Sequence, residues 1–280
     1  MSTAHDEPPL FEDQDLAGAR FRTVRLNEAR FHLVDLRGAR LQQVVLDGAV
    51  LRGADLVDVT IDGDVSNLVI NGVEVAPLIE AELDRRDPER IKLRPTDPDG
   101  FRDAWTIIER RWEATVARAR QLDPELLHVS VDGEWSFIQT LRHLVFATDA
   151  WIRRAMLGEP RPWDPLDLPF TTFRELPGIP NDPDVRPSLD EVLALRRDRL
   201  HTVAQVIDEL TDERLAGQTE PVTEPGYPEP DHYPVRECLL TILSEEWHHR
   251  QFAERDLATM TAGGSDPRSH ASSDSAGPVS

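Results

Sequence analysis

The sequence has one cysteine, Cys238, among its 280 residues. An internal disulfide is therefore excluded, and a reducing, cytoplasmic setting is expected. Cys238 lies on an apolar helical stripe, which marks it as packing rather than as a nucleophile. Positive charge is also in short supply. Against 52 Asp and Glu there are 31 Lys and Arg, for a formal net charge of -21. Such a chain repels nucleic acid and anionic membranes, so neither is expected as a partner. No apolar run reaches the length of a membrane span. The first residues, MSTAHDEPPLFED, lack the apolar core of a signal peptide. There is no Gly-rich phosphate loop following a strand, and no Ser–His–Asp pattern in a recognisable context.

What is present begins with a repeat. Phe11, Leu16, Phe21, Leu26, Phe31, Leu36, Leu41, Leu46, Leu51, Leu56 and Ile61 recur every fifth residue. Two residues before these positions runs a series of small or branched residues, from Ala19, Val24 and Ala29 to Ala49, Ala54 and Val59. A period of five fits neither a helix nor a strand. It fits a solenoid in which each five-residue unit forms one side of a coil. On this reading Leu36 faces the coil axis and is fully buried, and Leu36→Ala costs about 2–5 kcal/mol. The repeat decays after Gly63. Val65–Val75 then reads as a closing strand pair with a turn at Asn71-Gly72. A short helix from Ala76 to about Arg86 is expected to cap the solenoid, and the proline-rich stretch to Gly100 is read as a linker.

Four amphipathic helices are expected next, which is the pattern of a four-helix bundle. The first covers about Phe101–Leu122, with Trp105, Ile108, Trp112, Thr115 and Ala119 on one stripe. The second runs from Ser136 to about Leu157, and the third from Ser188 to Leu210. Ser136 with Gln139, and Ser188 with Glu191, are capping boxes. The fourth runs from Pro234, a good first helical residue, to Leu257. Two long proline-rich connections, Gly158–Pro187 and Ala216–Tyr233, are of the length that usually carries function. The expected organisation is thus residues 1–10 disordered, 11–75 solenoid, 76–100 cap and linker, 101–260 bundle, and 261–280 a disordered Ser/Gly-rich tail.

The last helix holds the candidate chemistry. Its inward stripe is Val235, Cys238, Ile242, Glu245, His249, Phe252 and Asp256. Glu245 and His249 are four apart, so their side chains are neighbours on an otherwise apolar face. Unpaired charge there is costly. A divalent metal gives one reason for the pair, and a buried His–Glu hydrogen bond gives another. The second helix supplies His143, with the small residues Thr140, Ala147 and Ala150 one turn to either side. Two imidazoles and a carboxylate suit zinc, nickel, iron(II) or manganese, with positions left open. His248 and Glu246 fall beside the stripe. Arg142, Arg250 and Arg255 are candidates for an anionic substrate or for ion pairs. Glu134 favours a helix N-terminus or supports the ligands. Tyr227 and Tyr233 are weak candidates for orienting a ligand.

Two resemblances follow from these residues. The period of five, with Ala54-Asp55-Leu56 and Ala39-Arg40-Leu41 as its best units, resembles the pentapeptide-repeat family. That implies a right-handed quadrilateral β-helix, of fewer than three coils here. The segment GEWSFIQTLRHLVFATDAW, with Trp135, Ser136 and His143, resembles the DinB-like superfamily. There a W-S pair precedes a metal-binding histidine, and the last helix usually carries H-x-x-x-H. At the matching positions this chain has Glu245 and His249. The resemblance covers about Phe101–Met260. It implies a metal-dependent transferase or isomerase that uses a low-molecular-weight thiol, such as mycothiol or bacillithiol, on a small electrophilic molecule. The alternative is a non-catalytic interaction protein that docks a protein partner, or a second copy, through the solenoid. DNA mimicry is disfavoured by the arginines on the repeat, among them Arg20, Arg22, Arg25, Arg30, Arg37, Arg40 and Arg52.

Overall fold

The computed structural model describes residues 10–63 and 65–263. The termini expected to be disordered lie outside these residues, except that Leu10 is described and Thr261–Gly263 continue the last helix. The chain divides into two compact units, the first ending at Gly63 and the second beginning at Asp64.

In the first unit the period of five is written into the backbone. Asp13, Gly18, Thr23, Glu28, Leu33, Gly38, Gln43, Gly48, Gly53, Asp58 and Gly63 all have positive φ. Each lies two residues after a large apolar residue of the series. The turns at Leu16–Ala19, Leu26–Ala29, Leu36–Ala39 and Leu46–Ala49 are closed by an N–H···O bond of 2.9–3.0 Å. A left-handed third residue in such a turn is the position that favours glycine, as at Gly18, Gly38 and Gly48.

The coils themselves differ from expectation. Among the described residues 10–63 there is no strand pairing, and Leu36, expected on a buried axis, is 58% exposed. The quadrilateral β-helix is therefore present as its turns and not as stacked coils. A turn is made within its own five residues, whereas burying a rung requires residues about twenty positions apart to stack.

The second unit opens with a hairpin, β1 (Val69–Ile70) and β2 (Val73–Glu74), paired antiparallel with Ile70 opposite Val73. Asn71 and Gly72 both have positive φ, as a two-residue hairpin loop demands. Helix α1 (Ala76–Arg86) follows. The stretch read as a linker is ordered: Pro88–Leu93 forms a 3₁₀ turn. Arg90 bonds Glu80 and Asp84 of α1 at 2.7 Å each, and Arg111 bonds Asp87 at 2.7 Å.

Helix α2 (Pro98–Ala119) starts earlier than its apolar stripe, because Asp97 caps it and Pro98 fits its first position. Helix α3 (Phe137–Thr148) begins at the capping box of Ser136 and Gln139. It runs on as a π-helix over Asp149–Met156, reaching the expected end in a different winding. Helix α4 (Leu189–Asp208) begins at the Ser188–Glu191 capping box. A single turn, α5 (Asp212–Leu215), precedes the long helix α6 (Val235–Gly263).

These helices enclose one core. Phe101, Trp105, Ile108 and Trp112 of α2 meet Leu141 and Leu144 of α3, Val203 and Ile207 of α4, and Leu239, Ile242 and Leu243 of α6. Helix α3 is the central element, buried at every position except Gln139. Trp112 ties α2 to α6 by donating its Nε1–H to the Glu246 carbonyl at 3.2 Å. No helix among the described residues is long and apolar enough to cross a membrane.

The turn geometry makes a prediction. Gly38→Val, which forces a β-branched residue to positive φ, should cost about 1–2 kcal/mol in the repeat unit. Gly38→Asn should cost clearly less. Urea titration of both variants, followed by circular dichroism, measures the difference.

Candidate metal centre

Helix geometry brings Glu245 and His249 together on the inner face of α6, one turn apart. The capping box that starts α3 sets the register of His143, which faces them. His143 Nε2 lies 3.3 Å from Glu245 Oε2, and His249 Nε2 lies 3.0 Å from the same oxygen. The ligand atoms of the three residues all fall within 4.8 Å of one another. That spacing fits a single ion whose bonds to nitrogen and oxygen are about 2.0–2.2 Å. The donor chemistry fits as well.

Two features prepare the site. His143 Nδ1 is 2.9 Å from the main-chain oxygen of Leu168. A carbonyl oxygen only accepts, so Nδ1 carries the proton and Nε2 is the nitrogen turned to Glu245. Second, Trp135 packs against both imidazoles, with ring centroids 4.5 Å from His143 and 5.8 Å from His249. His143 is almost fully buried, while the Glu245 side chain keeps 31% of its surface exposed.

The electrostatics follow from this packing. Burial acts to raise the Glu245 carboxyl, but the close approach of His143 and His249 outweighs it and holds it well below the ordinary carboxylate range. Burial holds His249 below the ordinary imidazole value of 6.5, against the opposing pull of Glu245. Cys238 is buried and its thiol is pushed up to about 11 by burial, in keeping with packing.

The neighbours weighed in the sequence sort themselves clearly. His248 leaves the stripe and pairs through Nδ1 with Ser244 Oγ at 3.1 Å. Glu246 is buried and meets Arg196 of α4 at 2.9 Å, so it joins two helices. Glu134 and Arg255 pair with each other at 2.5 Å. Arg250 bonds Thr115 at 3.2 Å and lies over the Trp247 ring. Tyr233 donates to the Glu229 carbonyl at 2.7 Å. Tyr227 stacks on Phe146, with centroids 5.8 Å apart, and is joined there by Phe170 and Phe173. The two proline-rich loops thus meet in an aromatic cluster over α3. Burial, and then the charge of Glu245, raises the Tyr227 phenol.

Sequence reasoning missed a buried charge cluster at the start of the π-helix. Asp149 is fully buried and takes two bonds from Arg199, at 2.8 and 2.9 Å. Asp167, also fully buried, accepts from the Asp164 N–H at 3.2 Å. Burial raises both carboxyls, and for Asp167 the charge of Asp149 adds to it. Only the spacing of an Asp within a largely apolar helix hinted at this.

A helical unit with an inward-facing His–Glu–His set, preceded by a unit of five-residue turns, defines the class of protein. A family model described as the DinB superfamily matches residues 107–253, more than half of the chain. The chain belongs to the DinB superfamily. A second model, for pentapeptide repeats, matches eight copies over residues 10–43 and 33–63. The chain therefore joins an N-terminal pentapeptide-repeat region to a DinB domain. No curated protein and no solved structure matches it.

The buried cluster yields a prediction. Asp149→Asn leaves the Arg199 charge buried without its main partner and should cost about 3–5 kcal/mol at neutral pH. The double variant Asp149→Asn/Arg199→Met should recover most of that loss. Thermal unfolding of the single and double variants measures both.

Proposed function

We propose that the helical unit is a DinB-type four-helix bundle that holds one divalent metal on His143, Glu245 and His249. The observation that carries this reading is the convergence of two imidazole Nε2 atoms on one carboxylate oxygen, inside a helical core. Zinc, nickel, iron(II) and manganese all suit such a set. When bound, the ion would supply a Lewis-acid centre able to lower the pKa of a thiol or water.

The chain's own residues fill the remaining roles. The Leu168 carbonyl keeps the His143 proton on Nδ1, so that Nε2 offers a lone pair. Trp135 shields both imidazoles on one side. The part-exposed Glu245 edge is the side open to a small-molecule substrate. A low-molecular-weight thiol transferred to a small electrophile is the reaction that family membership favours.

A second reading has its own support. Phe11, Phe21, Phe31 and Leu36 are all exposed on the repeat unit. Exposed apolar residues of this kind suit a protein partner or a second copy, and such docking can coexist with the metal site.

Isothermal titration of apo protein with zinc, nickel and manganese tests the main reading. His249→Ala should abolish binding. His248→Ala should leave it within about twofold, since that side chain makes no contact with the set. Glu245→His should retain zinc. Affinity should fall as pH drops from about 7 to 5, because protons compete for the ligands. Burial lowers the His249 value, so this imidazole is neutral at pH 7, and its share of the fall comes below pH 6.5. Absence of metal uptake by the wild type, or loss of it through His248 alone, overturns the assignment.

A further inference from the structure

Arg142 immediately precedes His143 and is fully buried. Its guanidinium gathers main-chain carbonyls of the loop that follows the π-helix. Nε donates to Leu166 at 2.8 Å, Nη1 to Val185 at 3.0 Å, and Nη2 to Asp182 at 2.8 Å, with the Asp167 oxygen at 3.5 Å. A buried cation is costly unless its donors are satisfied. Here a planar fork of five N–H groups meets oxygens from two separate stretches of one loop. The buried charge therefore fixes where Leu166–Asp167 and Asp182–Val185 lie.

The next carbonyl along, that of Leu168, is the one that receives the His143 Nδ1–H. Adjacent residues 142 and 143 on one helix thus grip adjacent points on one loop. If Leu166 and Asp167 shift, the Leu168 oxygen shifts with them, and the imidazole loses the bond that sets its tautomer and ring plane. Groups of this kind behind a ligating histidine govern metal affinity.

We propose that Arg142 is a positioning residue of the metal centre: it holds the Leu166–Leu168 backbone so that the Leu168 carbonyl keeps His143 Nε2 aimed at Glu245 and the ion. This rests on the metal-binding reading of His143, Glu245 and His249.

The fold supplies its own control. Arg154, equally buried, is bonded in the same manner, to the carbonyls of Pro160 at 2.6 Å, Pro228 at 3.3 Å, Glu224 at 2.5 Å and Val222 at 3.3 Å. A Cβ on Gly226 would fall 2.6 Å from its guanidinium carbon, so the second loop lies directly against it. Arg154 therefore anchors the second loop, and Pro160 at the start of the first, with the same chemistry but holds no carbonyl that bonds a ligand.

The test compares full-length Arg142→Lys and Arg154→Lys with wild type. Lysine keeps the charge but has no planar fork, so both variants should lose similar thermal stability. Two further readouts separate them. In apo protein labelled with ¹⁵N-histidine, the His143 Nδ1–H resonance is assigned by its loss in His143→Gln. It should be sharp and slow to exchange with solvent in wild type and Arg154→Lys, and lost or fast-exchanging in Arg142→Lys. Zinc affinity, measured by competition with a chelator, should weaken about 10–100-fold in Arg142→Lys and stay within about twofold in Arg154→Lys. A retained resonance with unchanged zinc affinity in Arg142→Lys overturns the proposal. So does equal weakening in both variants, which is what a merely structural role would give. If wild type binds no zinc, the metal reading fails, and the apo resonance alone decides whether Arg142 positions His143. Should Arg142→Lys not fold, Pro183→Gly loosens the exposed bend beside the Asp182 carbonyl and must move the same readouts in the same direction. No movement there overturns the proposal.

Discussion

One carboxylate oxygen, Oε2 of Glu245, stands within hydrogen-bonding reach of imidazoles from two helices. The rest of the helical unit is arranged so that this contact can exist inside a core. A carboxylate among Ile242, Phe252 and Cys238 would be expensive alone. It is tolerated because two imidazoles lie against it and because part of its edge reaches water. Its partners must therefore arrive in register. The capping box at Ser136 fixes the phase of α3, and the Arg196–Glu246 pair joins α4 to α6 beside the site. Trp112 adds a further tie from α2 to the Glu246 carbonyl.

The second organising device is the use of buried arginine against main chain. Arg142 lies on α3 and Arg154 on its π continuation, and between them they gather carbonyls of both proline-rich loops. Proline removes backbone donors but leaves every carbonyl in need of a partner. A guanidinium with five N–H groups is well matched to that surplus. The loops are thus held in place, and their aromatic residues close on Phe146. Loop length, which by itself signals function, becomes a fixed wall here.

The repeat unit rests on a different principle. Its order is local, a left-handed residue in every five, and each turn needs only its own unit. Its apolar residues stay exposed, because among the described residues no pairing between coils covers them. The helical unit has the opposite balance. Its turns and caps are simple, and its stability comes from contacts such as Arg199 with Asp149, fifty residues apart.

Much of this was legible in the sequence wherever a local rule has one structural meaning. The period of five pointed to a repeating five-residue unit, and the recurring turn carries it, though not the buried coil axis. Asn71-Gly72 demanded a hairpin loop, and the capping boxes set the starts of α3 and α4. The 3-4 stripe put Glu245 beside His249 and turned His248 away, because helix geometry allows no other neighbours. Other features were decided only by tertiary structure. Arg142 read as a surface or substrate-binding residue, yet it is buried, because its partners are main-chain oxygens that leave no trace in residue types. The Leu168 carbonyl that orients His143 was invisible for the same reason. The burial of Asp149 depends on Arg199, a partner contributed by α4. The exposure of Leu36 was equally hidden. A periodic pattern specifies which residues share a row, but only contacts between distant coils decide whether that row is covered.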